Sequence, residues 1–500
     1  MPIDLGQETK PINPEDEMYT QMLANLQGNI LKSHGRDFAA HIFLRFTGKP
    51  KAVRKWVADY TNRFVTSAFR QAQETKEYKL NGISGRAFGG IYLSAEGYRK
   101  LGFALDGFSE PQQGGSPNTF FRDGMEKGRA ELNDPPAAKW EEGYRGRKIH
   151  AMLLLADEDP ARLEDVRKRV EKSLKGVADV WAREDGVALR DENNKPVEQF
   201  GYRDGISQPL YFQADVQEEE EKFGTDQWDP SAPLDIVLTP DPLADKPDSF
   251  GSYFVFRKLE ENVRGFKEAE DRLSDALGRP AGSELAGAQV IGRFENGVPV
   301  LLSDTENAPP ALLDFNNFNY GSDPSALKCP FQGHIRKTNP RGDTGFDGGK
   351  VNEGERRRRI TRRGITYGKR QPGLEDRPTK NVGLLFQCFQ SSIPDQFGFM
   401  QVQWANNRDF ARSVVQPPAP GAPDTGLDPV IGQGASSAQH WPTTWGGAAL
   451  KDFDFAGFVT MKGGEYFFAP SIPFLRGLDG QLPSVASDQK EFADEGVTKQ

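Results

Sequence analysis

The sequence contains very few of the residues that build disulfide scaffolds and metal clusters. Of its 500 residues only Cys329 and Cys388 are cysteines. Two thiols can form neither a disulfide scaffold nor a four-thiolate zinc or iron–sulfur site. Histidine is nearly as scarce. Any histidine chemistry must use one of five positions: His34, His41, His150, His334 and His440.

Long hydrophobic runs and an excess of positive charge are also missing. The longest apolar stretches, such as residues 151–156, fall far short of the roughly 20 residues that a membrane span requires. No secretory signal is visible at the start, although a processed secreted chain would look the same, so secreted and cytoplasmic locations both stay open. The net charge of -9 argues against a general nucleic-acid binder. We therefore expect a soluble chain without membrane or nucleic-acid partners, and its oligomeric state is undetermined.

Glycine, proline and aromatic residues are plentiful, which indicates a loop-rich chain that can still build a core. Strand-then-helix patterns occur in both halves. Residues 40–46 alternate as a strand does, and residues 163–174 follow a cap at Asp159-Pro160 with helical spacing. Tyr253 to Phe256 precedes a second amphipathic helix that carries Phe266. Further strands are predicted at residues 148–155, 382–389, 399–404 and 464–469. The pattern predicts two similar α+β units whose antiparallel sheets are covered by helices.

Composition suggests the boundaries of these units. Residues 1–24 are predicted to be a flexible arm, and residues 25–215 form the first unit. Residues 216–248, with four consecutive glutamates and several prolines, are predicted to be an exposed connector to the second unit at 249–500. A Pro/Gly/Ser-rich stretch at about 416–447 is interpreted as a long surface excursion.

The first segment with candidate chemistry spans residues 200–209. Gly201 and Gly205 flank Asp204, so the backbone can turn tightly and approach a ligand while presenting one carboxylate. The alternative is a plain turn in which Asp204 binds its own backbone.

The second segment, residues 329–341, sets His334 among glycines and prolines with three cationic residues behind it, Arg336 being the first. One histidine cannot hold a bare zinc ion, but it can hold heme iron, because the porphyrin supplies four nitrogens and one axial ligand suffices. The nearby cations could pair with the heme propionates. The alternative is an ordinary loop histidine.

The third segment has six arginines within residues 356–363. Such a run is typical of a solvated basic face, or of a contact with RNA or phosphate. Some of the arginines are predicted to turn inward, where each would need an anionic partner.

Together the three segments resemble the dye-decolorising peroxidases, and most closely the larger fungal members. The Gly-x-x-Asp-Gly motif of that family matches Gly201, Asp204 and Gly205; its histidine segment matches residues 333–341; and its distal arginine matches Arg362. The resemblance extends over about residues 25–475. It implies two ferredoxin-like units, with one heme b per chain held mainly by the C-terminal unit.

The resemblance also implies roles for individual residues. Asp204 would shuttle a proton in hydrogen peroxide cleavage, and Arg362 would stabilise the developing charge. His334 would ligate the iron and bind a carboxylate through its second ring nitrogen, for which Asp395 is the candidate by family position, unless it is only a turn aspartate.

Four further residues are candidates for the pocket wall and for electron transfer. Leu384 and Phe386 would wall the distal pocket, although core packing alone would explain them. Tyr367 and Trp404 are candidates for surface electron transfer from bulky dyes, unless they are ordinary core aromatics.

The implied enzyme oxidises dyes, phenolic compounds and, as a further candidate, Mn(II), with hydrogen peroxide. Two other functions remain open. One is a heme-binding or heme-handling protein with incidental peroxidase activity, and the other is a cofactor-free interaction protein that uses the arginine run.

Overall fold

The computed structural model describes residues 3–108, 120–347, 350–370, 376–411, 425–435 and 437–480. Its strands are β1 (Phe38–Phe46), β2 (Phe88–Ser94), β3 (Ala151–Asp157), β4 (Ala178–Val187), β5 (Leu189–Arg190), β6 (Pro196–Val197), β7 (Thr239–Pro240), β8 (Phe250–Glu261), β9 (Phe346–Asp347), β10 (Lys350–Val351), β11 (Thr361–Arg362), β12 (Ile365–Tyr367), β13 (Gly383–Gln390), β14 (Gln439–Pro442), β15 (Leu450–Phe453) and β16 (Val459–Ala469).

The helices cover these sheets and their connections. They are α1 (Glu17–Asn25), α2 (Pro50–Phe64), α3 (Ala68–Asn81), α4 (Ala95–Leu101), α5 (Phe120–Asp123), α6 (Met125–Gly128), α7 (Pro160–Ser173), α8 (Gln213–Phe223), α9 (Val263–Ala276), α10 (Leu285–Ile291), α11 (His334–Thr338), α12 (Glu353–Arg356) and α13 (Ile472–Gly477). Two π-helical stretches, Pro394–Gly398 and Met400–Ala405, follow β13.

The two halves of the chain build the same antiparallel sheet. In the first half the strand order is β4-β1-β3-β2, with α2 and α3 after β1 and α7 after β3. In the second half the order is β16-β8-β13-β12, with α9 after β8 and the π-helical stretches after β13. In both, the first strand lies beside the fourth and the third. The prediction of two ferredoxin-like α+β units is confirmed.

The two sheets join at both edges into one closed barrel. Strand β2 pairs with β16 through Phe468 and Leu93, and β12 pairs with β4 through Tyr367 and Gly186. The two junctions are short, with two residue pairs between β2 and β16 and one between β12 and β4, and they close the sheet into a barrel. The interior is packed with aromatic and aliphatic side chains such as Phe43.

Local sequence signals account for the helices that were predicted. Asp159 caps α7 by accepting the backbone N–H of Ala161 at 2.8 Å, and Pro160 begins the helix. Leu163, Val166 and Val170 are its buried face.

Three predictions about local structure are corrected. Residues 399–404, predicted as a strand, are π-helical. The N-terminal arm is not free in its described part, because Ile12 is buried and its backbone exchanges hydrogen bonds with Tyr211 and Gln213. The acidic connector begins within α8, where the glutamate run lies on an exposed helix.

No helix in the described ranges is long and apolar enough to cross a membrane.

Glu465 of β16 is a buried carboxyl that makes stability depend on pH. Its Oε1 accepts the backbone N–H groups of Met125 at 2.9 Å and Tyr466 at 2.8 Å, and burial raises its pKa from 4.5 to about 7. A raised pKa in the folded state means that stability is lost as the pH rises from about 4.5 through about 7.

Glu465→Gln keeps an oxygen for both N–H groups and removes the charge. We expect the variant to gain up to about 3 kcal/mol over the wild type in unfolding free energy between pH 5 and pH 8. Urea titrations at both pH values measure this. A difference between the two proteins that does not change with pH would contradict the assignment.

Candidate active site

A large cavity lies against the outer face of β13. Leu384 and Phe386 of this strand line the cavity, as predicted for them. Gln387, on the opposite face, contacts His41 of β1 with 2.9 Å between their Nε2 atoms. Because β1 and β13 are not paired strands, that contact crosses the barrel interior, and the cavity is therefore outside the barrel.

His334 lines this cavity and is held by a buried carboxylate. It is the first residue of α11, and its Nδ1 lies 2.9 Å from Oδ2 of Asp428. The Asp428 side chain is fully buried. A carboxylate on Nδ1 fixes the ring orientation and the tautomer that presents the Nε2 lone pair, which is the arrangement of a metal-ligating histidine.

Asp428 is fixed by its own turn. Its Oδ1 accepts the backbone N–H of Val430 at 2.8 Å and of Ile431 at 3.0 Å, and its own N–H donates to the carbonyl of Ala405. Burial by itself raises the pKa of this carboxyl, but His334 and the two N–H groups outweigh burial and lower it below the usual value. The residue therefore stays ionised beside the imidazole.

Asp395 was the predicted partner of His334, and this prediction is wrong. Asp395 lies in the first turn of the π-helical stretch Pro394–Gly398, where Arg358 donates to its Oδ1 at 3.0 Å and Ser392 donates to its Oδ2. The partner, Asp428, lies instead in the Pro/Gly/Ser-rich stretch that was predicted to be a surface excursion. Residues 412–424 and 436 of that stretch are outside the described ranges.

Arg336 was predicted to bind the cofactor, and its contacts place it elsewhere. Its side chain is fully buried and donates to Asp343 at 2.7 and 2.8 Å and to Asp323 at 3.1 Å. It also donates to the carbonyl of Cys329. Arg336 therefore anchors α11 to the loops before and after it, and it is not among the residues that line the cavity.

The Gly-x-x-Asp-Gly segment lies beside the cavity. Gly201 has a φ of +99°, and a Cβ there would approach the Glu295 carboxylate to 3.1 Å, so glycine is required. Asp204 begins a short 3₁₀ turn, Asp204–Ile206, but its side chain is outside the described part of the structure. Gly205 is exposed, whereas Gly201 lines a second, neighbouring cavity.

Arg362 is brought to the same loop from β11. Its Nη2 donates to the carbonyl of Ser207 at 3.0 Å, and its backbone N–H donates to Oε1 of Gln208 at 3.1 Å. Arg362, Ser207 and Gln208 all line the cavity, as does His334. The fold thus brings Arg362, the loop that follows Asp204, and His334 to one cavity.

Further cationic and polar groups line the cavity that the sequence did not single out. Arg293 is buried and donates to carbonyl oxygens of Gly297 and Phe315, while its Nη2 has no hydrogen-bond partner within the described part of the chain. Nε1 of Trp228 is also buried and has no hydrogen-bond partner within the described part of the chain. Arg359 donates to the carbonyls of Pro230 and Ser231.

Burial lowers the pKa of Arg293 and of Arg359 to about 10. The Nη2 of Arg293, which has no partner in the described ranges, calls for an anionic ligand. Arg359 belongs to the arginine run, so the expectation that some arginines turn inward is confirmed, although its partners here are carbonyls rather than carboxylates. No sequence signal marked Arg293 or Trp228.

Tyr367 and Trp404 were predicted to be surface aromatics, and neither is. Tyr367 is 7% exposed, because β12 lies between β13 and β4. Trp404 is 6% exposed and packs against Phe399 and Phe410.

The family profile described as the DyP dimeric alpha+beta barrel domain matches residues 25–188. The whole chain is 42% identical over 492 residues to the multifunctional dye peroxidase DyP2 of an Amycolatopsis strain, covering 96% of this chain and 100% of that protein. The chain therefore belongs to the dye-decolorising peroxidase family, whose members are heme enzymes.

Solved structures agree with this assignment. A DyP-type peroxidase of Anabaena superposes with a TM-score of 0.85 at 41% identity, covering 95% of this chain and 98% of that one. The dye-decolorizing peroxidase AauDyP1 of Auricularia auricula-judae is 28% identical over 72% of this chain and 71% of that protein. The predicted likeness to the larger fungal members is thus confirmed only in part, because the Amycolatopsis and Anabaena proteins share more identity.

Replacement of the two candidate aspartates separates their roles. Asp428→Asn should lower the unfolding free energy at pH 7 by about 2 kcal/mol, because a charged acceptor for the imidazole is lost. Since the folded-state pKa of Asp428 is lowered, this stabilisation is present above about pH 4 and disappears as the pH falls through the folded-state value.

The matched control is Asp395→Asn, whose partly exposed ion pair with Arg358 should contribute less than about 1 kcal/mol. Denaturant titrations at pH 7 and pH 3 measure both variants. A larger loss in the Asp395 variant than in the Asp428 variant would contradict the assignment.

Proposed function

We propose that the protein is a heme peroxidase that uses hydrogen peroxide to oxidise dyes and phenolic compounds. The observation that carries the proposal is that His334, with Asp428 on its Nδ1, lines the same cavity as Arg362. A histidine held in this way suits an axial ligand, and a guanidinium in the same cavity suits a developing negative charge.

The cavity fits one heme b per chain. Its wall is apolar where Leu384, Phe386 and Met400 lie. It also holds Arg293, whose Nη2 has no hydrogen-bond partner in the described ranges, and Arg359, whose partners are carbonyls. A porphyrin with two carboxylates matches both properties: the ring suits the apolar wall, and the propionates would take Arg293, Arg359 and Nε1 of Trp228. When bound, the heme supplies an iron that accepts peroxide and stores oxidising equivalents.

The protein's own part in peroxide cleavage is proton transfer and charge stabilisation. Asp204 would take a proton from the peroxide oxygen that attacks and return it to the oxygen that leaves. Arg362, held by Ser207 and Gln208, would offer a fixed positive charge that needs no reorganisation. The short 3₁₀ turn that begins at Asp204 ends directly before Ser207, whose carbonyl accepts a hydrogen bond from Arg362. This proximity supports a shared role for Asp204 and Arg362.

Mn(II) is a further reductant in the proposal. The second cavity is lined by Glu270, Glu284 and Glu295, and it adjoins the first through Tyr202, whose ring lines the first cavity and whose hydroxyl donates to Glu270. In the described ranges no three His, Cys, Asp or Glu side chains already form a metal site. Whether Mn(II) is a reductant is tested by measuring the formation of Mn(III) from Mn(II) and hydrogen peroxide in a chelating buffer.

A heme-handling protein is the alternative, and single substitutions distinguish the two. We expect Asp204→Asn and Arg362→Leu to keep the heme absorption band after reconstitution. Each should slow the reaction with hydrogen peroxide by about 10²-fold or more, because a proton acceptor or a fixed charge is lost.

Stopped-flow mixing with peroxide measures this, and His334→Ala, which should lose the heme iron ligand, is the control. Unchanged peroxide rates in both variants would favour heme handling. Failure of the wild type to bind heme at all would overturn the proposal and leave a cofactor-free interaction protein.

Bulky dyes cannot enter the cavity, so their electrons would pass through buried aromatics. Trp404 lies one turn beyond Met400, which lines the cavity, and is our candidate for this route.

Trp404→Phe should lower turnover of a large dye by roughly tenfold, which is about 1.4 kcal/mol of barrier, and leave turnover of a small phenol unchanged. Trp445→Phe, at a half-buried tryptophan of the C-terminal unit, is the control. Equal loss on the dye and the phenol would contradict the role of Trp404.

A further inference from the structure

Lys337 is a fully buried lysine without a stated role. Its exposed fraction is 0%, whereas lysine is among the residues least often buried. Its Nζ donates to the carbonyl oxygens of Gly426 at 2.6 Å and Asn407 at 2.7 Å. The carbonyl of Ala405 lies 3.5 Å from the same nitrogen. These contacts span two chain segments that are distant from Lys337 in the sequence.

Lys337 shares a helix face with His334. The two residues are three positions apart in α11, so their side chains lie on the same side of that helix. That side meets the π-helical stretch Met400–Ala405 and the turn that contains Asp428. His334 binds the carboxylate of the turn, and Lys337 binds the backbone around it.

The carbonyls near Lys337 flank Asp428 closely. Gly426 precedes Asp428 by two residues, and the Ala405 carbonyl accepts the backbone N–H of Asp428 at 2.9 Å. One ammonium group thus joins the end of the π-helical stretch to the turn. Hydrogen bonds from a charged donor are roughly twice as strong as neutral ones, so this junction resists displacement of the turn.

We propose that Lys337 is a positioning residue that holds Asp428 against Nδ1 of His334. Lys337 does so through the backbone carbonyls of Gly426, two residues before Asp428, and of Asn407 and Ala405, the second of which also accepts the backbone N–H of Asp428. In the apoprotein it fixes the hydrogen bond from the imidazole to the carboxylate. With heme bound, which rests on the proposed function, it thereby sustains the electron donation of His334 to the iron.

The test measures the His334–Asp428 hydrogen bond itself. In apoprotein labelled with ¹⁵N-histidine, the Nδ1 proton of His334 should give a downfield resonance that Asp428→Asn abolishes. Lys337→Met should abolish or strongly shift the same resonance, whereas Lys337→Arg, which keeps a charged donor, should restore most of it. Lys328→Met, at a lysine that lies over the Trp445 ring, should leave it unchanged.

Heme-loaded protein gives a second, separate measurement. The iron–histidine stretching frequency of the ferrous form should fall in Lys337→Met toward its value in Asp428→Asn, and stay at the wild-type value in Lys328→Met. A Lys337→Met variant that loses stability but keeps the wild-type Nδ1 resonance would overturn the inference and leave Lys337 a purely structural residue. If Lys337→Met does not fold, an Nδ1 resonance in Lys337→Arg that is as weak as in Asp428→Asn, from a folded protein, would overturn it as well.

The two proposals fail separately. Absence of heme binding by the wild type would overturn the proposed function while the apoprotein resonance still decides the role of Lys337. Peroxidase activity of the wild type, together with a wild-type Nδ1 resonance in Lys337→Met, would support the proposed function and overturn the role of Lys337.

Discussion

Closure of the barrel is the constraint on which the rest of the structure depends. A four-stranded ferredoxin-like sheet has two open edges, and here each edge of one unit pairs with an edge of the other, β2 with β16 and β12 with β4. Strand β13 is then held on both sides, by β8 and by β12. Its outer face can therefore carry Leu384 and Phe386 as a rigid cavity wall, and β11, which bears Arg362, pairs with the same strand.

The arginines divide into two groups by the sign of their pKa shifts. Burial alone lowers the pKa of an arginine, and only carboxylate partners reverse this. For Arg336 the partners Asp343 and Asp323 outweigh burial and raise its pKa, which marks a completed structural network. For Arg293 and Arg359, with carbonyl partners, burial lowers the pKa to about 10. In the described part of the chain the second kind has no carboxylate partner and also includes Arg341 and Arg363, which do not line the cavity. Arg293 and Arg359 do line it, and there an anionic cofactor would supply the missing negative charge.

Local patterns predicted most of the strands and helices that we named, because strand alternation and helix caps are visible within ten or fifteen residues. The cap at Asp159 and the buried face of α7 are examples. The same patterns also gave a strand at residues 399–404, which are π-helical. The resemblance to the family, and not a local pattern, singled out His334 and Arg362, and the two residues line the same cavity.

The partner of His334 could not be found in this way. Asp428 lies 94 residues beyond His334, and what brings them together is the packing of α11 against the end of the π-helical stretch. The dipeptide Asp428-Pro429 is a turn signal, but many turns have one. Asp395 was the closer candidate in sequence, and only the ion pair with Arg358 shows why it is not free for His334. The prediction that Tyr367 is exposed was wrong for a similar reason. Whether its side chain reaches the surface depends on which strands pair with β12, and the local sequence does not show this.

The charges around the aromatic residues bear on which of them can pass electrons. Oxidation of a ring adds positive charge, and a cation about 5 Å away opposes this by about 3 kcal/mol at an effective dielectric constant of 20. Lys258 lies 5.1 Å from the centre of the Tyr367 ring, and Arg341 lies 4.5 Å from that of Trp228. In the described ranges Trp404 has aromatic neighbours, Phe399 and Phe410, and no cation over its ring. The cations that stabilise Tyr367 and Trp228 by packing over them therefore disfavour their oxidation. Around Trp404 the cations lie over its neighbours instead, Arg358 over Phe399 and Lys337 over Phe410, so the oxidation of its own ring is opposed less directly.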